Sequence, residues 1–259
     1  MKLYHKLHQI KNLTTKNYIS PKAIVSDNVI IGQNVKIFAN SFISPNTIIE
    51  DNVIIGYPST ESQTEIRRFA NRDTNDLYSF YDNNIKAKTS INSNSIVRSG
   101  AIIYEGSQID KYFDCGHNAI IRENTSVKSN SFIYPNTLIG RDVQIGAFCR
   151  IAGTICNRTK VGNFSAMLGH TVHKFQIPIP GLIELSPVIG EGVTIGREVV
   201  IIGNVFIGDF ATVITNSVVT KNVNDKSIYG GIPARLVKKK TDDELKELFD
   251  YIDKKRKEL

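Results

Sequence analysis

The stretch Ile24-Val25-Ser26-Asp27-Asn28-Val29-Ile30-Ile31-Gly32-Gln33-Asn34-Val35-Lys36-Ile37-Phe38-Ala39-Asn40 decides the fold. Around it an aliphatic residue returns at every sixth position, at Ile19, Val25, Ile31, Ile37, Ile43, Ile49 and Ile55. Four residues after each anchor stands a small or β-branched residue, Ala23, Val29, Val35, Ser41, Thr47 and Val53, which sets both on one side of a period-2 strand. The third position after the anchor is Asn28, Asn34, Asn40, Asn46 and Asn52 in turn. Asn is the residue other than glycine that best tolerates the left-handed backbone of a sharp corner. Each hexapeptide therefore reads as one short strand and a turn, and three sides of six residues make an 18-residue coil.

A second run keeps the rule at Ile91, Val97, Ile103, Ile109, Cys115, Ile121, Val127, Ile133, Ile139, Ile145 and Ile151, and a third at Ile189, Ile195, Ile201, Ile207, Val213 and Val219. Between the first two runs, residues 57–90 abandon the period. That excursion reads either as a loop capping or decorating the coil or as a nucleotide-sugar contact, with Arg67, Arg68 and Arg72 on phosphates and Phe69, Tyr78, Phe80 and Tyr81 on a base. The phase slips between Ile151 and Val161, where Asn157 falls on the anchor position, and the period disappears after Met167 until Ile189. A second excursion is therefore expected at 169–187. Thr241-Asp242-Asp243-Glu244 is a capping box, and Leu245, Leu248, Phe249 and Ile252 follow at helical spacing. The organisation read from the chain is one β-helix domain over 1–240 and an amphipathic helix at 241–259 that protects the edge of the last coil.

Composition agrees. Among 259 residues there are 37 Ile and 19 Val against 12 Leu, which excludes a mostly helical protein. No apolar run approaches the ~18 residues of a membrane span, and Cys115, Cys149 and Cys156 form neither a CxxC pair nor an even disulfide set. Reduced thiols, a cytoplasmic location and no membrane insertion are expected. A net charge of +7 permits nucleic-acid binding, but it is scattered except near the C-terminus, so an anionic small ligand is as good a reading, and no nucleic acid is expected as partner.

The three hexapeptide runs resemble the hexapeptide-repeat acyltransferases over roughly residues 19–237. The resemblance implies an all-β fold, a left-handed parallel β-helix with extruded loops and a short C-terminal α-helix; the handedness comes from the family, since the periodicity fits either hand. It also implies acetyl-CoA as acyl donor, no metal, and active sites between the subunits of a homotrimer. Asp114-Cys-Gly-His-Asn-Ala-Ile-Ile-Arg-Glu123 is similar to a stretch of the nucleotide-linked amino-sugar N-acetyltransferases. That implies a role for His117 in substrate contact or as base, with Asp114, Asn118, Arg122 and Glu123 at the substrate; the plainer alternative is a corner His bonded to its own stack. Tyr229-Gly-Gly-Ile-Pro-Ala-Arg-Leu-Val-Lys238 resembles the family's terminal signature, which implies that Gly231, Pro233, Ala234, Arg235 and Lys238 line the coenzyme A site. Arg235 with Lys238 to Lys240 supplies charge for its phosphates.

Acyl transfer from a thioester needs a cleft for the acyl carrier, a donor to the oxyanion and a destination for the nucleophile's proton. His5 and His8 precede the first repeat and read as surface residues. His170 and His173 fall in the second excursion, where the family commonly places its catalytic His; the alternative is that both are surface imidazoles. An enzymatic base is dispensable if the acceptor is an amine of pKa ~8, partly neutral at physiological pH, whose proton passes to the departing thiolate. The function expected is N-acetylation of a nucleotide-linked deoxyamino sugar. The rivals are O-acetylation of a sugar or small alcohol, a non-catalytic assembly subunit, and a γ-carbonic-anhydrase-like zinc enzyme, whose three-His site the spacing of His170 and His173 does not match.

Overall fold

The computed structural model describes residues 17–69, 76–174 and 185–258. Strands mostly two or three residues long pair in parallel with the strand one coil away, and the anchors stack in register: Ile19 on Ile37, Ile37 on Ile55, Ile55 on Ile103, Ile103 on Ile121 and Ile121 on Ile139. Three parallel sheets form the sides. The first has 7 strands beginning at Tyr18–Ile19, the second 9 beginning at Ile24–Val25, and the third 11 beginning at Ile30–Ile31. A further sheet of 3 strands, His170–Val172, Val200–Ile202 and Val218–Val219, follows the first. The all-β parallel helix expected from the period is thus borne out.

The anchors make one continuous core: Ile37, Ile55, Ile91, Ile103, Ile121, Ile133 and Ile139 are wholly buried. Each contributes roughly 1.5–3 kcal/mol relative to exposure. At the corners, Asn28, Asn34, Asn40, Asn118, Asn124 and Asn130 all take the left-handed conformation, with φ between 55° and 62°. Bulky residues do so at Tyr112, Phe148, Phe164 and Phe210, against their steric preference.

Three of those aromatics explain a departure from expectation. Helix α3, Asp242–Arg256, does not cover the last coil's edge; it runs back along the corner between the second and third sheets. Phe249 meets Phe210 with ring centroids 4.9 Å apart, Tyr251 meets Phe164 at 6.3 Å, and Lys255 lies 5.8 Å from the centroid of Phe148. Arg256 pairs with Glu191. The last coil is instead extended by an antiparallel strand, Arg235–Lys239, on Ser227–Gly230.

The 57–90 excursion contains two helices, α1 (Thr60–Phe69) and α2 (Leu77–Asn84), before the coil resumes at Thr89. Glu105, 2% exposed, closes it at both ends by accepting from Ser59 N–H (2.7 Å), Ser62 Oγ (2.5 Å), Lys86 N–H (3.1 Å) and Ala87 N–H (3.3 Å). Asp82 accepts from Tyr18 Oη (2.6 Å) and Ala39 N–H (2.8 Å). Tyr78 and Tyr81 pack into an aromatic cluster with Tyr18, Phe38 and Tyr57. The side chains of 65–69, and Arg72, lie outside the described residues, as do His5 and His8.

The second excursion begins later than the period suggested. His170–Val172 is a coil strand paired with Val200–Ile202, and Thr171 takes the anchor. Threonine fills the site of a valine because both are β-branched, and its hydroxyl accepts from Cys156 N–H (2.8 Å) beside Thr159 Oγ1 (3.2 Å). The phase slip has the same origin. Ile155 rather than Asn157 is the anchor, and Ile151 to Ile155, Met167 to Thr171 and Val219 to Val223 are sides of four residues among sides of six. Residues 175–184 lie outside the described residues.

Candidate functional site

Two of the short sides fall on one corner, where the third sheet turns into the first, and they pull successive coils together. A Cβ on Gly153 (φ 95°) would lie 2.2 Å from the carbonyl oxygen of Gly169, and a Cβ on Gly169 would lie 2.4 Å from that of Val199. The corner is dented where His170 begins its strand. Nδ1 of His170 accepts the backbone N–H of Thr154 at 3.1 Å, and Nε2 lies 3.5 Å from Oε2 of Glu198. Because Thr154 can only donate, the neutral ring must carry its proton on Nε2. His170 therefore presents an N–H at the surface, beside a carboxylate. Glu198 escaped the sequence reading; its signal is an acidic residue with φ 56° at a corner otherwise held by Asn or Gly. His173 is half-buried just after the strand.

His117 lies on the same corner, three coils toward the N-terminus, which at a spacing of roughly 4.7–4.9 Å per coil is about 14 Å from His170. Within one copy the two are too far apart to act on the same atom. Nδ1 of His117 is 3.8 Å from Glu50 Oε2, and Glu50 accepts from the backbone N–H and the hydroxyl of Ser99, both at 2.9 Å. The Ser99 backbone N–H, outweighing burial, holds the Glu50 carboxyl below the usual range, with the Ser99 hydroxyl, His117 and Arg98 adding to it. Arg98 grips Asp114 through two bonds of 2.9 and 2.7 Å. Asn118 is a corner residue at φ 55° whose amide oxygen lies over Gly100. Arg122 and Glu123 sit on the next corner, bonded to each other at 2.7 and 2.9 Å, with Arg122 reaching Thr60 Oγ1 of α1 at 2.8 Å. The stretch Asp114–Glu123 therefore divides between two corners.

At the end of the coil, Gly231 (φ 96°) and the cis bond before Pro233 turn the chain into the hairpin. Gly230 pairs with Arg235, Tyr229 with Leu236 and Ile228 with Lys238, so Val237 is an extra residue. That bulge sets Arg235 and Lys238 on one face, the outer side of the third sheet, where Ile228 pairs with Thr212. Lys238 bonds Glu244 Oε1 at 2.5 Å, while among the described residues Arg235 makes no ion pair. Lys240 donates to the carbonyl of Phe210 at 2.6 Å, and burial lowers its pKa.

Cys115 and Cys149 are core residues, and burial pushes both thiols up to about 12. Among the described residues no group of three or more His, Cys, Asp or Glu is placed to hold a metal ion, and no helix is long and apolar enough to cross a membrane.

Residues 17–60 match the family model of the bacterial transferase hexapeptide, six repeats. That match carries the hexapeptide repeat itself over the first coils. This hexapeptide-repeat protein is 38% identical over 117 residues to a probable macrolide acetyltransferase of Lysinibacillus sphaericus, a match covering 41% of the chain and 64% of the relative. It is 33% identical over 110 residues to a chloramphenicol acetyltransferase of Agrobacterium fabrum (39% of the chain, 53% of the relative). It is 32% identical over 112 residues to a UDP-3-O-acylglucosamine N-acyltransferase of Campylobacter lari (40% and 35%). The hexapeptide-repeat protein thus spans 64% and 53% of the first two relatives' lengths.

Proposed function

We propose that this hexapeptide-repeat protein transfers an acetyl group from acetyl-CoA to the amino group of a nucleotide-linked deoxyamino sugar. The observation that carries the reading is the state of His170, an imidazole whose lone pair is taken by Thr154 and whose N–H faces outward at a dented corner. Such a group stabilises negative charge on the acyl oxygen better than it removes a proton. The amine nitrogen attacks the thioester carbon, His170 Nε2–H donates to the carbonyl oxygen as charge builds, the carbon–sulfur bond breaks, and the amine's proton passes to the departing thiolate. Glu198 orients the ring from outside. Arg235 and Lys238 hold the coenzyme's phosphates, with Gly231, Pro233 and Ala234 letting the backbone approach. They lie four strands along the third sheet from the level of His170, or about 19 Å. His117 and Asp114 contact the acceptor, and three copies in the cytoplasm complete the sites between them.

The names of the relatives support acetyl transfer and, in the third, N-acylation of a UDP-linked glucosamine. A hydroxyl acceptor would need a base, and His170 becomes one only by releasing Thr154; this favours an amine. The test is thiol release from acetyl-CoA with nucleotide-linked amino sugars and their hydroxyl counterparts. Turnover confined to the amino sugars is expected; turnover with hydroxyl sugars alone, or with none, overturns the reading.

A further inference from the structure

Aromatic rings recur along the corner between the second and third sheets, and three of the four are covered by α3. Phe148 and Phe164, one coil apart, stack with centroids at 5.2 Å and planes within 8°, and Phe210 follows two coils on, beyond Gly192. Tyr112 is the fourth. It lies two coils from Phe148, 53% exposed and held at φ 58°, and shares a cavity with Tyr251 of α3. At uncovered positions on either side the corner residue is Asn94 or Asn130, which adopt this backbone more easily. Nothing in the coil requires tyrosine there.

The rung between Tyr112 and Phe148 is Asn130, which carries no ring, so the ladder has a gap of two coils, or roughly 9.5 Å. A cavity opens there, lined by Tyr112, Asn130, Phe132, Phe148, Arg150 and Tyr251. A planar ring at its centre would sit about 4.8 Å from each neighbour, inside the ~4.5–7 Å range of favourable aromatic pairs. Arg150 stands beside the gap, exposed, and among the described residues its guanidinium makes no hydrogen bond or ion pair. Asp114, the acid lining the same cavity, is already gripped by Arg98. Aromatic residues on both sides of the gap with an unpaired guanidinium at the rim suit a heteroaromatic base bearing phosphate.

We infer that this slot binds the base of a nucleotide, with Arg150 on its phosphates, and that the nucleotide is the acceptor's. The second clause rests on the proposed function. Arg235 and Lys238, assigned there to the coenzyme, lie five strands away along the third sheet, about 24 Å, so the slot and the hairpin serve different ligands. The level of His170 falls between them.

The test is isothermal titration of the full chain with uridine, thymidine and guanosine diphosphates and with adenosine 3′,5′-bisphosphate, comparing wild type with Tyr112→Asn and Arg150→Gln. Asn is the corner's ordinary residue, so Tyr112→Asn should melt no lower than wild type. At least one nucleoside diphosphate should bind and lose about tenfold or more in affinity in each variant, with adenosine 3′,5′-bisphosphate unchanged. Loss confined to the bisphosphate would overturn the assignment to the acceptor, and unchanged diphosphate affinity in both variants, or none in wild type, would overturn the slot. Thiol release measured on the same wild-type sample separates this from failure of the acetyl-transfer reading, because nucleotide binding is read without turnover.

Discussion

Thr154 donates its backbone N–H to Nδ1 of His170 at 3.1 Å, and this bond decides which ring nitrogen carries the proton. Sequence position places a histidine near a dent in the coil; this contact leaves the neutral ring an N–H, and no lone pair, at its outer nitrogen.

Replacing His170 separates the two roles. Gln can set an amide N–H where Nε2 stands, whereas Ala leaves nothing. If His170 donates to the acyl oxygen, His170→Ala should lose roughly 10²–10³ in kcat, the usual cost of one oxyanion donor, and His170→Gln should recover a substantial part. Steady-state kinetics decide it: equal loss in both variants would point back to a base.

Thr171 is buried in the core at the anchor position. Thr171→Val keeps the shape but removes the acceptor for Cys156 N–H. An orphaned buried donor costs roughly 1–3 kcal/mol, so the urea midpoint should fall while the far-ultraviolet spectrum stays that of the wild type. An unchanged midpoint would mean that Cys156 finds another partner.

Glu105 supplies a pH dependence. Burial pushes its pKa up, but the Ser62 and Ser59 bonds and the Ala87 N–H outweigh it, and the net direction is down. A group whose folded pKa is depressed stabilises above its unfolded value, about 4.3 for Glu, and loses that contribution as pH falls through the folded value. Hydrogen-exchange protection at residues 59–64 and 85–87, relative to the free-peptide rate at each pH, should therefore be high at neutral pH and fall below about pH 4. In Glu105→Gln it should be low at both.

Arg235→Ala should raise the KM for acetyl-CoA about 10- to 100-fold, as expected for one charge-assisted contact of roughly 1.5–3 kcal/mol. Turnover at saturation should barely change, because a contact remote from the thioester holds ground and transition states alike. Added salt should weaken the wild type more than the variant. Unchanged coenzyme affinity by titration would remove the hairpin from the cofactor site.

The coil was legible because its information is local: one aliphatic anchor and one corner residue per side suffice, and both recur in a fixed phase. What escaped the sequence had a different physical basis. Thr171 was passed over as an anchor because polarity, not shape, guided the search. Phe148, Phe164 and Phe210 stood at corner positions in plain view, yet their meaning depends on a helix up to about a hundred residues downstream folding back upon them. The Asp114–Glu123 stretch looked like one motif, and three-sided geometry sends its two halves to different corners. The pairing of Arg235 with Lys238 across an odd separation needs the Val237 bulge, which no periodicity announces.

The sides of four residues, Ile151 to Ile155, Met167 to Thr171 and Val219 to Val223, differ from their neighbours by an even number. Parity is what the solenoid conserves. Losing two residues shortens a side but returns the next side chain to the interior, so every later coil keeps its inward and outward sets. Losing one would turn each downstream anchor toward water until a second single-residue change restored it. Length variation at these corners is therefore tolerated in pairs, and a dent such as the one at Gly153 and Gly169 can arise without disturbing the stack on either side.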